Sequence, residues 1–222
     1  MIKRLVCLAN SRREGNRCIA GRELLAGNPG EWIRPVSARE SEAVSRRERQ
    51  YNDGSEPCVL DIIDVPLIGP RSKSHQPENW LLDPDARWSK AGEFGHDNLH
   101  LLTDNPGHLW INGHHTTNGQ NDYMTVDEAD NTAGSLKLIA VDELRLRIYA
   151  TVSSKRQVRA EFSFSGVNYC LSVTDPLIEA EYRTEVDDVY TLGSRYLTIS
   201  FGEWKEDSRC YKLVAAIIGV LP

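Results

Sequence analysis

The sequence of 222 residues has no hydrophobic run long enough to cross a membrane, and it shows no signal-peptide pattern. Its longest apolar run, residues 213–221, has nine positions and is interrupted by Gly219. A membrane-spanning helix needs about 20 apolar residues. Met1 is followed at once by a short charged and then strand-like stretch, without the apolar core of a leader peptide. These absences predict a cytoplasmic protein with no membrane partner.

Cysteine is scarce and widely spaced. No two of the five cysteines lie closer than eleven positions: Cys7, Cys18, Cys58, Cys170 and Cys210. A disulfide framework usually has an even number of cysteines, and a cysteine zinc site has pairs at short spacing. The sequence therefore predicts buried, reduced cysteines in a reducing compartment, and neither a metal site nor another cofactor.

The common catalytic signatures are also missing. The chain has no glycine-rich phosphate loop, no GxGxxG dinucleotide fingerprint, no HExxH helix and no GxSxG nucleophile turn. Pro57-Cys58 lacks the second cysteine that the zinc deaminase pattern places two residues on. The sequence thus leaves the question of an enzyme open while disfavouring it, and it predicts no catalytic residue.

Charge is present in both signs but is unevenly distributed. The net charge is −6, yet residues 1–50 hold eleven Lys and Arg against six Glu, a balance of +5. The remaining residues therefore hold fifteen positive against twenty-six negative charges, a balance of −11. A basic N-terminal part joined to an acidic remainder predicts an anion-binding face on the first part alone.

The C-terminal third has the clearest strand pattern. Alternating apolar residues and intervening turns predict three meandering strands at 135–152, 157–164 and 167–174. Asp175-Pro176 predicts the start of a short helix, because Asp caps helices and Pro suits the first helical position. Two more strands follow, at 195–201 and 211–220. This order is typical of an OB-fold, a five-stranded Greek-key barrel.

The N-terminal part fits the same plan with a larger insertion. Strands are predicted at 3–10, 17–24, 31–37 and 58–67, and an irregular surface segment with one helical turn near Trp80 at 70–98. Repeated Asn, Asp and Gly predict a mobile loop within 103–135. We therefore predict a mainly β protein of two OB-like barrels with short helices, divided into 1–134 and 135–222. An all-β sandwich is the alternative.

Five short segments, in their order and spacing, resemble a known bacterial family. They are CLANSR at 7–12, RCIAG at 17–21, WIRPVS at 32–37, QPENW at 76–80 and CYKLVAAII at 210–218. Together they resemble the dual OB-containing domain (DuOB) family, over the chain from Lys3 to about Ile218. The resemblance implies two OB-like barrels and a prokaryotic conflict or mobile-element context. It implies no particular activity or catalytic residue.

The first set of candidate binding residues is basic and aromatic. An OB-fold commonly binds oligonucleotides with strands 2 and 3 and the loop between strands 1 and 2. Arg side chains can contact phosphate, and Trp offers a flat surface for a base. The alternative is that Trp32 is core and Arg34 pairs with Glu31 or Glu78. The set consists of Arg12, Arg13, Arg17, Trp32 and Arg34, with Tyr51 as a further stacking candidate.

A second set of candidates is polar. Gln76, Glu78 and Asn79 lie in a Pro-flanked loop and could read a base edge or a ribose hydroxyl. They could equally hold the loop in shape through backbone hydrogen bonds, which the sequence favours. The six histidines lack metal-site spacing, and the acidic stretch 179–188 reads as a solvated face.

Three functions remain open from the sequence. The first is a module that binds nucleic acid, preferably single-stranded, through the N-terminal barrel. The second is a protein-interaction or regulatory subunit of a conflict system, because a net charge of −6 is poor for general nucleic acid affinity. The third is a nucleotide sensor or enzyme with a pocket where Arg34 meets Gln76, Glu78 and Asn79.

Overall fold

A computed structural model describes residues 1–151, 156–204 and 206–219. The chain divides into two compact units, Met1–Leu102 and Thr103–Pro222. This division precedes the boundary at 134/135 expected from the sequence. Leu109, Trp110 and Met124 pack into the hydrophobic core of the second unit, so the segment that contains them belongs to that unit.

The first unit contains six strands, one short α-helix and a terminal 3-10 helix. In chain order they are β1 (Ile2–Arg13), β2 (Asn16–Leu25), β3 (Asn28–Val36), α1 (Arg46–Arg49), β4 (Asp61–Pro70), β5 (Asn79–Leu82), β6 (Ser89–Glu93) and the 3-10 helix His96–Leu102. Tight turns join the first three strands, and Gly15 and Gly27 take positive φ there, at 75° and 85°. Glycine adopts this backbone region without the steric cost that a Cβ would add.

Strands β1 to β5 of the first unit close into a barrel. Their order is β1-β2-β3-β5-β4, and β4 pairs with β1 to complete the ring, while β6 extends the sheet beside β4. Strand β3 pairs with β5 in parallel, and every other ring pair is antiparallel. This arrangement is a five-stranded OB barrel. The core includes Leu5, Ile19, Ile33 and Ile63, and also Trp88, whose side chain is fully buried.

The closing strand β5 differs from the sequence expectation. The segment around Trp80 was predicted to form one helical turn, but Asn79–Leu82 is a strand. Parallel pairing of Arg34, Pro35 and Val36 with Asn79, Trp80 and Leu81 holds it in place. A four-residue strand has too few residues to show an alternating pattern, so tertiary pairing decides its conformation.

The second unit repeats the barrel plan. It contains β7 (Tyr123–Thr125), α2 (Val126–Asp130), β8 (Leu136–Ala150), β9 (Arg156–Phe164), β10 (Val167–Val173), α3 (Pro176–Tyr182), β11 (Val189–Trp204) and β12 (Arg209–Gly219). Strands β8-β9-β10-β12-β11 form the closed ring, with β10 and β12 parallel, and β7 extends the sheet beside β12. The segment 103–135, within which the sequence predicts a mobile loop, therefore also includes β7 and α2.

Helix α3 begins as the sequence predicts. Asp175 is its N-cap, and the Asp175 side chain accepts a hydrogen bond from the Leu177 amide at 3.0 Å. Pro176 takes the first helical position, where no amide donor is required. The prediction of a mainly β fold with two OB-like barrels and short helices is confirmed. The closed rings exclude the sandwich alternative.

Gly21 of β2 gives a stability prediction for the first barrel. A Cβ at Gly21 would stand 2.1 Å from the Val6 carbonyl oxygen on the paired strand β1. We expect Gly21→Ala to lower the free energy of unfolding by about 1–3 kcal/mol, because the backbone must shift to admit the methyl group. Urea unfolding followed by circular dichroism measures this change. Gly69→Ala in β4 is the control, since nothing lies within 4 Å of its Cβ position; an equal effect of the two substitutions would contradict the prediction.

Candidate nucleic-acid interface

The candidate interface lies on the first unit, at the elements that OB-folds use for ligands. These are the outer faces of the second and third strands and the loops joining strands 1–2 and 4–5. In the first unit they correspond to β2, β3, the turn at Glu14–Gly15 and the segment 71–78. The predicted site residues differ in burial and in their partners, and they do not form one cluster.

Arg34, Glu78, Asn79 and Gln76 meet in one buried network. The Arg34 Nη1 lies 3.1 Å from Glu78 Oε1 and donates to Asn79 Oδ1 at 3.2 Å. The Asn79 amide Nδ2 in turn donates to Gln76 Oε1 at 3.1 Å. The Arg34 side chain is 1% exposed and that of Glu78 is 5% exposed. The Arg34 amide also donates to the Glu78 carbonyl oxygen at 2.8 Å.

This burial corrects the interpretation of these four residues as ligand contacts. Arg34 was predicted to contact phosphate, and Gln76, Glu78 and Asn79 to read a base or sugar. A side chain enclosed in this way offers no surface to a ligand, and a buried charge is stable only with such a partner. The network instead fixes the segment 71–78 against β3, as the structural alternative expected.

Basic side chains from three loops converge beside this network. The Arg13 Nη2 and the Lys73 Nζ both approach Glu42 Oε2, at 3.7 and 2.9 Å. Arg71 donates to the Ser37 carbonyl oxygen at 3.3 Å, and Arg39 donates to the Ser37 hydroxyl at 3.2 Å. We call Arg13, Arg39, Arg71 and Lys73 the basic rim. It joins the end of β1, the segment after β3 and the loop between β4 and β5.

Two carboxylates hold the basic rim in place. Glu42 is 3% exposed at its side chain and has a positive φ of 58°. Glu48 accepts hydrogen bonds from Ser45, Arg39 and Ser37. Burial alone would raise the pKa of Glu48, but these hydrogen bonds outweigh it and lower the pKa below its ordinary value. The rim therefore has four cations against two anions, a local balance of +2.

The basic rim remains accessible. The exposed fractions of its side chains are 32% for Arg13, 48% for Arg39 and 49% for Lys73, and Arg71 is half-buried. Cations that are fixed at their base and exposed at their edge can meet an anionic ligand at little additional ordering cost. The sequence indicated only Arg13 of this group. The other three lie in loops that come close together only when the barrel closes, so the sequence alone does not group them.

Arg12 and Arg17 occupy a different setting from Arg13. They are directly opposite each other in the β1–β2 ladder, so their side chains leave the same face of the sheet. Arg12 is exposed, and the backbone of Arg17 pairs with Val44 in both directions. Arg13, next along β1, points to the other face and reaches Glu42. The basic turn predicted from the sequence thus contributes to two surfaces.

Trp32 lies on the outer face of β3. Its neighbour Ile33 faces the core, and alternation places Trp32 on the opposite side, where it is half-buried. The Arg22 guanidinium of β2 stands over the Trp32 ring, 5.1 Å from its centroid. Arg22 also donates to the Gly30 carbonyl oxygen at 3.1 Å. The sequence analysis missed Arg22, which the β2–β3 register places opposite Trp32.

Tyr51 is not available as a stacking surface. It is 7% exposed, and its hydroxyl donates to the buried Asp61 carboxylate at 3.1 Å. Burial and the neighbouring Asp61 charge raise the pKa of Tyr51 well above its ordinary value. The proposal that Tyr51 stacks on a base is therefore corrected. Its ring belongs to the core of the first barrel.

The described residues contain no cluster of metal ligands and no membrane-spanning helix. Within 1–151, 156–204 and 206–219, no three His, Cys, Asp or Glu side chains converge as ligands for an ion. His114 instead contacts Glu128, and Arg183 pairs with Glu179 of the acidic stretch. Cys7, Cys170 and Cys210 are buried as expected, whereas Cys18 is half-buried and Cys58 is exposed. No helix in the described part of the chain is long and apolar enough to cross a membrane.

Two closed five-stranded rings of the same strand order define a protein built from tandem OB barrels. The chain belongs to the family of the dual OB-containing domain, whose model matches residues 3–217. The resemblance seen in the sequence is thus confirmed. Comparisons with curated proteins and with solved structures find no match.

Proposed function

We propose that the first barrel binds single-stranded nucleic acid through the basic rim and Trp32. The observation that carries the proposal is the convergence of four cations, from three loops, at the rim that OB-folds use for ligands. Phosphate groups carry the charge that such a cluster attracts. Binding of this kind needs no base-specific pocket, because the backbone repeats at every nucleotide.

The carboxylates of the rim position its cations for phosphate. Glu42 holds Arg13 and Lys73 close together, and Glu48 holds Arg39. The excess of two positive charges remains for a ligand. Arginine guanidinium groups can bind phosphate oxygens with two parallel hydrogen bonds, which favours Arg39 and Arg71 as direct contacts.

Trp32 supplies the aromatic part of the proposed interface. The indole ring is half-buried, and the Arg22 guanidinium lies over it. Stacking a base on an aromatic ring contributes about 1–3 kcal/mol and tolerates any base. Arg22 beside the ring adds a further cation within reach of the adjoining phosphate.

The proposal predicts the effect of removing two rim cations. We expect Arg71→Ala/Lys73→Ala to weaken the binding of a fluorescein-labelled single-stranded oligonucleotide roughly tenfold or more at about 50 mM salt, because two phosphate contacts are lost. Fluorescence anisotropy measures the dissociation constants. Lys73 pairs with the nearly buried Glu42, so circular dichroism first verifies that the double variant is folded.

The matched control removes the same charge elsewhere on the first unit. Arg4 is 53% exposed and pairs with Asp64, and the exposed Arg87 donates to the Arg47 carbonyl oxygen. Arg4→Ala/Arg87→Ala should bind within about twofold of the parent, because long-range charge effects are screened over about 10 Å at 0.1 M salt. Equal weakening of oligonucleotide binding in both double variants would contradict the proposal that the rim is the interface.

A further inference from the structure

A segment of the second unit lies across the outer face of its own barrel. We call residues 113–122 the strap. Gln120 pairs with Cys170 of β10, with hydrogen bonds of 3.2 Å from the Gln120 amide and 3.0 Å from the Cys170 amide. The Asn121 side chain donates to the Asn168 carbonyl oxygen at 2.9 Å. The strap therefore pairs, in the plane of the sheet, with the strand that corresponds to the third strand of an OB barrel.

The strap offers its acceptors to two arginines of this face. Arg147 of β8 donates to the Asn118 carbonyl oxygen at 2.7 Å. The Asp122 carboxylate lies 3.2 Å from Arg159 Nη1 of β9. Both side chains in this second pair are nearly buried, at 10% exposed for Arg159 and 3% for Asp122. The carboxylate stands where an anionic ligand of the arginine would bind.

Internal contacts shape the strap to fit. The Thr116 amide and hydroxyl both donate to the Asp122 carboxylate, at 2.9 and 2.6 Å. Gly119 leaves no space for a side chain, because a Cβ would stand 1.7 Å from Asp122 Oδ2 and 2.7 Å from Arg159 Nη1. The Gly113 amide donates to Asn121 Oδ1 at 2.7 Å. A side chain at 119 therefore requires a shift of the strap backbone, of the Asp122 carboxylate or of the Arg159 guanidinium.

The face beneath the strap combines cations with an aromatic ring. Arg147 and Arg159 are directly opposite each other on β8 and β9, an arrangement that is unfavourable without anions. Glu161 supplies one anion, 2.9 Å from Arg147 Nε, and Asp122 of the strap supplies the other. The Tyr149 ring lies next to them, with the Arg147 guanidinium 5.4 Å from its centroid.

We infer that this face of the second barrel is a second site for single-stranded nucleic acid, which the strap covers until the ligand displaces it. Arg147 and Arg159 would contact phosphate in place of Asn118 and Asp122, and Tyr149 would stack on a base. The inference rests on the proposed function for its class of ligand, but on different residues. A cleft of about 360 Å³ lies beside the covered face, and its charged lining consists of Arg145 with Asp142, Glu143 and Glu161.

The net charge of the second unit limits the long-range attraction of its face for nucleic acid. Residues 103–222 hold eleven Lys and Arg against seventeen Asp and Glu, a balance of −6. An acidic unit repels nucleic acid at long range, so binding there depends on local contacts with the arginines. The affinity observed is reduced by the small fraction of molecules in which the strap is open.

Opening the strap should therefore strengthen binding at the second site. The test uses full-length chain carrying Arg71→Ala/Lys73→Ala, so that the basic rim contributes little. Adding Gly119→Ala should increase the affinity for a labelled single-stranded oligonucleotide by about tenfold. The oligonucleotide then no longer competes with Asp122 for Arg159. Gly107→Ala is the matched control, because nothing lies within 4 Å of its Cβ position. No gain with Gly119→Ala would overturn the inference.

Closing the strap covalently gives a reversible test on a folded protein. Gln120→Cys would face Cys170 across the hydrogen-bonded pair, where the usual Cα separation of about 5.5 Å suits a disulfide. In the rim-depleted background, residual binding should vanish on oxidation and return with reductant. Gln120→Ser should show no redox response. Mass spectrometry verifies the 120–170 bridge, and binding that is equal in the bridged and reduced forms would contradict the inference.

The same experiments separate this inference from the proposed function. If Arg71→Ala/Lys73→Ala leaves wild-type binding unchanged while Gly119→Ala raises it, the rim proposal fails and the covered site stands. If the rim variants weaken binding but neither strap change has an effect, the rim proposal stands and the covered site fails. Displacement of the oligonucleotide by polyglutamate at equal charge concentration would assign the face to acidic peptides and overturn its assignment to nucleic acid.

Discussion

Replacing Glu78 by alanine should lower the free energy of unfolding of the first unit by about 3–5 kcal/mol, because it removes the carboxylate that pairs with the buried Arg34 guanidinium. The two side chains are 3.1 Å apart and are 1% and 5% exposed. Asn79 still accepts from Arg34, but a neutral amide compensates a buried guanidinium only in part. Urea unfolding followed by circular dichroism, with the second unit as an internal reference, measures the loss.

A double variant distinguishes the lost partner from lost packing. Arg34→Met/Glu78→Leu removes both charges and keeps most of the apolar volume, so it should be clearly more stable than Glu78→Ala. A double variant that loses at least as much stability as Glu78→Ala would mean that the charge pair is not the source of the effect.

Lys212 should make the stability of the second unit depend on pH in the alkaline range. It is 1% exposed, and burial lowers its pKa to about 8, against the opposing effect of Asp122 and Glu128. An unfolded lysine titrates near pH 10.4, so between these two values the unfolded chain binds more protons than the folded one. Stability from this group therefore rises with pH over that window, by about 3 kcal/mol.

Comparison with Lys212→Met isolates this effect from other groups. Burial raises the pKa of Cys210 to about 12, and that thiol opposes the lysine because the unfolded cysteine ionises first as pH rises. Cys210 is present in both proteins, so its contribution cancels in the difference. Between about pH 8 and pH 10, the free energy of unfolding of the wild type should rise relative to that of Lys212→Met. Parallel stability curves over this range would contradict the prediction.

The barrel plan of both units could be predicted because each strand leaves a local pattern. Alternation in β8 and β9, the turn glycines and the Asp175-Pro176 helix start all depend on neighbours in the chain. Strand β5 could not be predicted in the same way. Its four residues are held by pairing with β3, which is distant in the sequence. The division between Leu102 and Thr103 could not be predicted for a similar reason, since the core contacts of Leu109 and Trp110 are long-range.

The candidate site was predicted only in part because alternation assigns a face and does not show what covers it. Trp32 and Arg34 share the outer face of β3, yet only Arg34 lies beneath the loop that carries Glu78. The basic turn at Arg13 was found from its charge. Its partners Arg39 and Lys73 come from loops that meet only after the barrel has closed.

Fluorescence anisotropy over a salt series tests the central claim, that the basic rim binds the backbone of a single strand. The probes are labelled single-stranded RNA, single-stranded DNA and duplex DNA. We expect the single strands to bind the wild type, with log affinity falling by about 0.7 per phosphate contact for each tenfold rise in salt, and Arg71→Ala/Lys73→Ala to lower the slope by about 1.4. An absence of binding at low salt, or an identical slope in the variant, would contradict the account.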